Sequence, residues 1–254
     1  MKINHRLIAR LDIKNNTVIK GIQMEGLRVV GQPADMARNY YNQSIDEIIY
    51  IDAVASLYGR NSLLNVVNEV SQDVFIPITV GGGIRSVEDV RELLRAGADK
   101  IAVNTAAVYR PELIREIAET FGSQCLVVSI QAKKMPNNKY EAYVEFGRER
   151  IDLDLLTWAS KVVELGAGEI LLTSIDRDGT QKGFDYDIIQ KVAEAVPIPV
   201  IASGGAGNSQ DLIDAIELGK ASAVACGTIL HYKKNSVVDL KQDMLAAGIG
   251  VRLK

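Results

Sequence analysis

Ile76-Pro77-Ile78-Thr79-Val80-Gly81-Gly82-Gly83 and Ile198-Pro199-Val200-Ile201-Ala202-Ser203-Gly204-Gly205 are two versions of one phrase, 122 residues apart. Each is a short apolar run that ends in glycines, the pattern of a buried strand entering a tight turn. The same shift carries Glu47 onto Glu169 and Gly97 onto Gly219. A period of about half the chain is too long for a solenoid and points to two similar halves. Outward from these two stretches, apolar runs rich in Val, Ile and Leu alternate with amphipathic stretches along the whole sequence. The runs predict strands over Arg6–Asp12, Glu47–Ala53, Ile76–Gly81, Lys100–Asn104, Cys125–Gln131, Glu169–Ser174, Ile198–Ser203 and Ala223–Gly227. The stretches between predict helices over Pro33–Gln43, Asn61–Gln72, Ser86–Ala96, Arg110–Phe121, Asp152–Leu165, Asp185–Ala195, Asn208–Leu218 and Ser236–Ala246. Ser86 and Asn208 supply caps followed by acidic first turns. Continuous apolar strands alternating with helices argue for a parallel sheet covered by helices. The expected fold is α/β: a single (β/α)8 TIM barrel, one domain over residues 1–254, made of two (β/α)4 halves.

Composition narrows the function classes. Apolar residues make up 47% and charged residues 24% of the 254, with a net charge of −3, so no broad positive field invites nucleic acid. Cys125 and Cys226 sit in apolar runs and read as small buried hydrophobes. No His/Cys/Asp cluster has metal-ligand spacing, and neither a metal nor a cofactor is expected. His5 and His231 both read as structural. With no targeting segment or membrane-length run, the expected location is cytoplasmic, without a membrane partner.

In such barrels the site forms at the C-terminal ends of the strands. There Gly82-Gly83 and Gly204-Gly205 each lead into a helix, so backbone N–H groups and a helix N-terminus can face an anion. Asn104-Thr105 and Gly227-Thr228 follow the next strand in each half. The arrangement predicts two phosphate half-sites for one long substrate. Asp176-Arg177-Asp178-Gly179-Thr180 follows the sixth strand, where Asp176 and Asp178 can orient hydroxyls and Gly179 and Thr180 can add phosphate contacts. Asp12 ends the first strand and is the candidate general acid or base, since apolar surroundings raise a carboxylate pKa. Its partner across the internal two-fold is Gln131. Lys20 is a candidate phosphate ligand. Alternation along the first strand puts Arg6, Ile8, Arg10 and Asp12 on one face. Arg6, Glu47, Lys100 and Glu169 open four strands at one level, where they can form a neutralising ring of charge.

These residues resemble a known family over essentially the whole chain: the cyclase subunit of imidazole glycerol phosphate synthase, in histidine biosynthesis. The resemblance rests on Leu11-Asp12-Ile13-Lys14, Val18-Ile19-Lys20-Gly21, Thr79-Val80-Gly81-Gly82-Gly83-Ile84-Arg85-Ser86, Asn104-Thr105-Ala106-Ala107, Asp176-Arg177-Asp178-Gly179-Thr180 and Ala202-Ser203-Gly204-Gly205-Ala206-Gly207. It implies a lyase acting on a bis-phosphate aminoimidazole carboxamide ribonucleotide. It also implies a heterodimer with a glutaminase subunit on the barrel floor, and Arg6, Glu47, Lys100 and Glu169 as an ammonia gate. Two positions depart from the family pattern: Gln131 stands where the family has a second aspartate, and Arg10 where it has a small residue. A glutamine exchanges no proton near neutral pH, and a guanidinium beside Asp12 lowers that residue's pKa. The alternative expectation is therefore a paralogous barrel that receives ammonia from a glutaminase and passes it to another acceptor in surface-polysaccharide sugar amidation.

Overall fold

The computed structural model describes residues 4–55 and 63–253. The chain begins with strand β1 (Arg6–Lys14), a hairpin of β2 (Thr17–Ile22) and β3 (Glu25–Gly31), helix α1 (Pro33–Asn42) and β4 (Glu47–Asp52). It continues through α2 (Leu64–Val70), β5 (Ile78–Gly81), α3 (Val87–Arg95), β6 (Lys100–Val103), a short α4 (Thr105–Tyr109) and α5 (Glu112–Phe121). The second half repeats the order: β7 (Leu126–Lys134), a hairpin of β8 (Tyr140–Val144) and β9 (Glu149–Asp154), α6 (Leu155–Glu164) and β10 (Glu169–Ser174). Then follow α7 (Tyr186–Ala195), β11 (Val200–Ser203), α8 (Ser209–Glu217), β12 (Ala223–Cys226), a short α9 (Thr228–His231) and α10 (Val237–Ala246). Asn61 and Ser62, at the start of the expected Asn61–Gln72 helix, lie outside the described residues.

Eight parallel strands close on themselves: β1 pairs with β12 and β4, and the ring runs on through β5, β6, β7, β10 and β11. The chain is a (β/α)8 barrel, as its sequence pattern implies. Register carries the internal two-fold. Asp12 lies opposite Ile51 in one half and Gln131 opposite Thr173 in the other, and Ile51 and Thr173 are related by the 122-residue shift. Strands β5 and β11 start two residues later than expected. Pro77 and Pro199 have no N–H for the ladder, although their carbonyls still accept from Ile48 and Ile170 at 3.0 Å.

Alternation sorts the strand side chains into two clusters. Leu7, Ala9, Leu11 and Ile13 pack outward against the helices, while Ile8 joins Ile49, Val127, Leu171 and Ile201 inside the barrel. Arg6, Arg10 and Asp12 therefore share the inner face with Ile8. At the floor Lys241 of α10 is buried, with Nζ donating to Asp46 and to the carbonyls of Ser44 and Arg252, and Asp46 accepts from the Leu7 amide. These bonds tie the last helix to the first strands. Ser86, Asn208 and Ser236 each form a reciprocal capping box. Ser86→Ala is expected to cost about 1 kcal/mol, a melting shift of roughly 2–4 °C in thermal unfolding.

The hairpins β2–β3 and β8–β9 depart from the expected pattern. The helix expected over Asp152–Leu165 begins at Leu155, because residues 149–154 pair with β8. Asp154 caps it instead, accepting from the Thr157 amide at 2.9 Å. Among the described residues, no helix is long and apolar enough to cross a membrane.

Candidate active site

The N-terminal ends of four barrel strands converge in a ring of charge. Arg6 at the start of β1 contacts Glu47 at 2.8 Å and Glu169 at 2.5 Å, and Lys100 at the start of β6 contacts the same two carboxylates at 3.3 and 2.8 Å. Positive and negative side chains alternate, so each is flanked by two of opposite sign. Burial pushes the Glu169 pKa up, but the hydrogen bonds and charges of Arg6 and Lys100 outweigh it and hold the carboxyl below its usual range. The ring closes the barrel floor beneath the apolar layer of Ile8, Ile49, Val127 and Leu171.

At the opposite end a second group of charges fills the mouth. Arg10 donates from Nε to Asp12 at 2.9 Å and from Nη1 to Thr173 at 2.7 Å and Ser203 at 3.0 Å. Lys20, at the centre of the β2 edge, lies 3.5 Å from Asp12 and donates to both oxygens of Asp178 at 2.8–2.9 Å. All six are buried. Burial alone would raise the Asp12 pKa, and it is the largest single influence. The Arg10 and Lys20 charges together outweigh it, so the carboxyl is held below the usual range. Of the two opposed expectations for Asp12, lifting by apolar surroundings and lowering by the Arg10 guanidinium, the second prevails. Gln131, from the matching end of β7, is 3% exposed, and its Oε1 meets no hydrogen-bond donor among the described residues.

Two cavities flank this core, one per half. The first, about 400 Å³, is lined by Gly82, Gly83, Asn104, Thr105, Ser129 and Gln131, with Phe146 from the β8–β9 turn. The second is lined by Arg10, Lys20, Asp178, Gly179, Ser203, Gly204, Gly205, Gly227 and Thr228 and leaves only about 10 Å³. Each Gly-rich turn thus meets the segment after the next strand. Gly82 and Gly204, at φ +104° and +91°, press against the carbonyls of Asp52 and Ser174, where any Cβ would collide. Asn104 and Gly227 precede α4 and α9 with nearly the same unusual backbone, φ/ψ −138°/−89° and −118°/−82°, and neither helix has a side-chain cap. Their first-turn N–H groups have no capping side chain as acceptor. Asn104 also donates to the carbonyls of Ser129 and Tyr143, and Thr105 accepts from the Glu145 amide, which pins the second hairpin over the first cavity.

Asp176 and Thr180 are placed elsewhere. Asp176 accepts from the Lys134 amide at 2.8 Å and lines a separate outer depression with Tyr140 and Asp185. The Thr180 hydroxyl donates to the Arg177 carbonyl at 2.7 Å and braces its own turn. Sequence reasoning missed Thr173 and Ser203, although alternation along their own strands, from Glu169 through Leu171 and from Ile201, could have found them. It missed Phe146 and Tyr143, which sit on an unforeseen hairpin. His231 is buried, as a structural residue should be. Its Nδ1 meets the Tyr40 hydroxyl at 2.7 Å, and burial, with Lys20 nearby, lowers its pKa to about 4.

Comparison with known proteins agrees with this geometry. The chain matches the histidine biosynthesis protein family over residues 6–236. It is 57% identical to imidazole glycerol phosphate synthase subunit HisF of Legionella pneumophila over 82% of this chain and 98% of that one. It is 46% identical to the subunits of the same name from Methanopyrus kandleri, over 99% of both chains, and Streptococcus mutans, over 98% of this chain and all of that one. With the family matched over residues 6–236 and two of these relatives aligned over nearly the whole chain, this chain belongs to the histidine biosynthesis protein family.

Proposed function

We propose that this chain is the ammonia-dependent cyclase subunit of an imidazole glycerol phosphate synthase, a lyase acting on a bis-phosphate aminoimidazole carboxamide ribonucleotide. The observation that carries the reading is the pairing of two anion-facing half-sites at one end of the barrel with a closed ring of four charges at the other. The relatives' shared name supports it. One phosphate would rest on Gly82-Gly83 and the α4 N-terminus, the other on Gly204-Gly205 and the α9 N-terminus, with Lys20 adding charge. The substrate then spans the mouth over Asp12 and Gln131. Arg6, Glu47, Lys100 and Glu169 act as the gate for ammonia released by a glutaminase partner docked on the floor, the word subunit in the relatives' names being consistent with such a partner. Ammonia adds to the ketose carbonyl, Asp12 holds the cationic nitrogen and the substrate hydroxyls, and ring closure with bond cleavage releases two products. Exclusion of water matters because hydrolysis competes with amination.

The test is turnover of the purified chain with that ribonucleotide and ammonium salt at alkaline pH, without a glutaminase. Conversion to the two products is expected. A second reading is favoured by the buried Arg10–Asp12 pair and by the amide at Gln131, which leave the mouth without two free carboxyl groups. In it the barrel passes ammonia to another sugar acceptor, as in surface-polysaccharide amidation. No conversion, with phosphate still bound in both half-sites, would favour that reading.

A further inference from the structure

Arg10 has no task in the reading above, yet it is 3% exposed and held in one orientation. Nε is committed to Asp12, and Nη1 to Thr173 and Ser203. Nη2 carries two further N–H groups, and these meet no acceptor among the described residues. The guanidinium lines the small cavity under Gly204, Gly205, Gly227 and Thr228. That space is about 10 Å³, room for roughly one water-sized group. The Thr228 hydroxyl beside it is buried and equally without a partner. Across the internal two-fold, the register that matches Asp12 with Gln131 matches Arg10 with Ser129, which lines the other cavity. The two half-sites therefore differ: below one Gly-rich turn lies a fixed cation with donors to spare, below the other a hydroxyl and open space.

We infer that Arg10 is a substrate-binding residue that takes one oxygen of a phosphorylated ketose, and that it decides which end of the substrate enters the second half-site. This rests on the reading that a ketose phosphate occupies that half. The phosphate sits on the backbone turns, and the carbonyl oxygen one layer deeper meets Nη2. When ammonia adds, its lone pair forms the C–N bond and the carbonyl π pair moves onto oxygen. Arg10 stabilises the charge that develops there, and a proton passes from the new ammonium to that oxygen, giving a neutral carbinolamine. Donors fixed in advance at a developing oxyanion contribute about 10²–10³-fold in rate. The Asp12 carboxylate, in this scheme, aims the guanidinium as well as facing substrate.

The experiment titrates the full chain with two probes, ribulose 5-phosphate and inorganic phosphate, by calorimetry. The wild type is expected to bind the ketose phosphate about tenfold more tightly than phosphate. Arg10→Met is expected to abolish that preference while phosphate affinity stays within about twofold, and Arg10→Lys, which keeps the charge without the fork, to lose most of it. Should either variant fold poorly, ¹⁵N guanidinium resonances of the wild type provide the readout, with the Arg10 Nη signals shifting on ribulose 5-phosphate but not on phosphate. Equal affinity for both probes in the wild type, or a preference retained in Arg10→Met, would overturn the inference. So would turnover that rises in Arg10→Met, since Arg10 would then merely restrain Asp12. If the wild type shows the preference but no conversion of the ribonucleotide, the cyclase reading falls and the role of Arg10 stands.

Discussion

Asp12→Asn is expected to lower ammonia-dependent turnover by about 10²–10⁴-fold, with phosphate affinity at both half-sites nearly unchanged. The substitution is isosteric, and its amide oxygen can still accept from Arg10 Nε. What is lost is the negative charge between Arg10 and Lys20, and with it the carboxylate that, in the proposed mechanism, faces the reacting nitrogen. Lys20 keeps Asp178 at 2.8 Å, so the second half-site should remain in place. Because the Asp12 pKa lies below the usual carboxylate range, its titration should not appear in the rate profile near neutral pH. The same shift has a stability consequence. A depressed carboxyl contributes stability above its unfolded pKa of about 3.9, and that contribution is lost as pH falls through the still lower folded value. Denaturant unfolding of wild type and Asp12→Asn should therefore differ at neutral pH and converge in strong acid. Full turnover in Asp12→Asn would remove Asp12 from the mechanism altogether.

The sequence was legible where local pattern and tertiary role coincide. The barrel strands are buried on both faces, so their apolar runs stood out, and the repeat at 122 residues marked both Gly-rich turns. The floor ring was legible because Glu47 and Glu169 occupy equivalent strand starts. The hairpins were not, and their turns explain why. Strands β2 and β3 are joined through Gln23 and Met24 at φ +53° and +63°, and β8 and β9 through residues 145–148, with Glu145, Phe146 and Gly147 at +50°, +56° and +77°. Hairpin turns of this kind usually advertise themselves with Asn or Gly; Gln23 and Met24 carry no such signal, and in the second turn Gly147 alone carries it. Asn15-Asn16, at φ +49° and +62°, did carry it and could have revealed the turn from β1 to β2. The opposed influences on Asp12 could be named but not weighed from sequence, for a related reason. Burial is visible in an apolar run, whereas Lys20 reaches Asp12 only because the β2 edge folds back antiparallel over β1. Asp176 and Asp178 look interchangeable in sequence, yet two residues of turn send one to Lys134 and the other into the mouth.

Arg6→Met at the floor should destabilise the fold by about 3 kcal/mol, toward the lower end for a broken buried ion pair because Arg6 retains some exposure. Arg6 bridges both acids of the ring, and its side chain is 25% exposed against 7% and 11% for Glu47 and Glu169. Without it two nearly buried carboxylates share one ammonium, that of Lys100. Their repulsion, rather than the loss of packing, then dominates the cost. The pH dependence separates the two causes. In the wild type Glu169 is depressed, so its contribution is present above an unfolded pKa of about 4.3 and lost as pH falls through the folded value. In Arg6→Met desolvation prevails, the carboxyl is raised, and protonation relieves the repulsion, so the stability gap to wild type should narrow on acidification. Adding Glu169→Gln to Arg6→Met removes the surplus charge and should recover part of the loss, a coupling that a double-mutant cycle in urea measures directly. Strict additivity of the two substitutions would mean that the ring is four independent contacts and not one electrostatic unit. In the proposed gate such a unit must be broken together to open, so ammonium-dependent turnover, supplied from the mouth, should survive Arg6→Met while glutamine-dependent turnover with the proposed glutaminase partner falls.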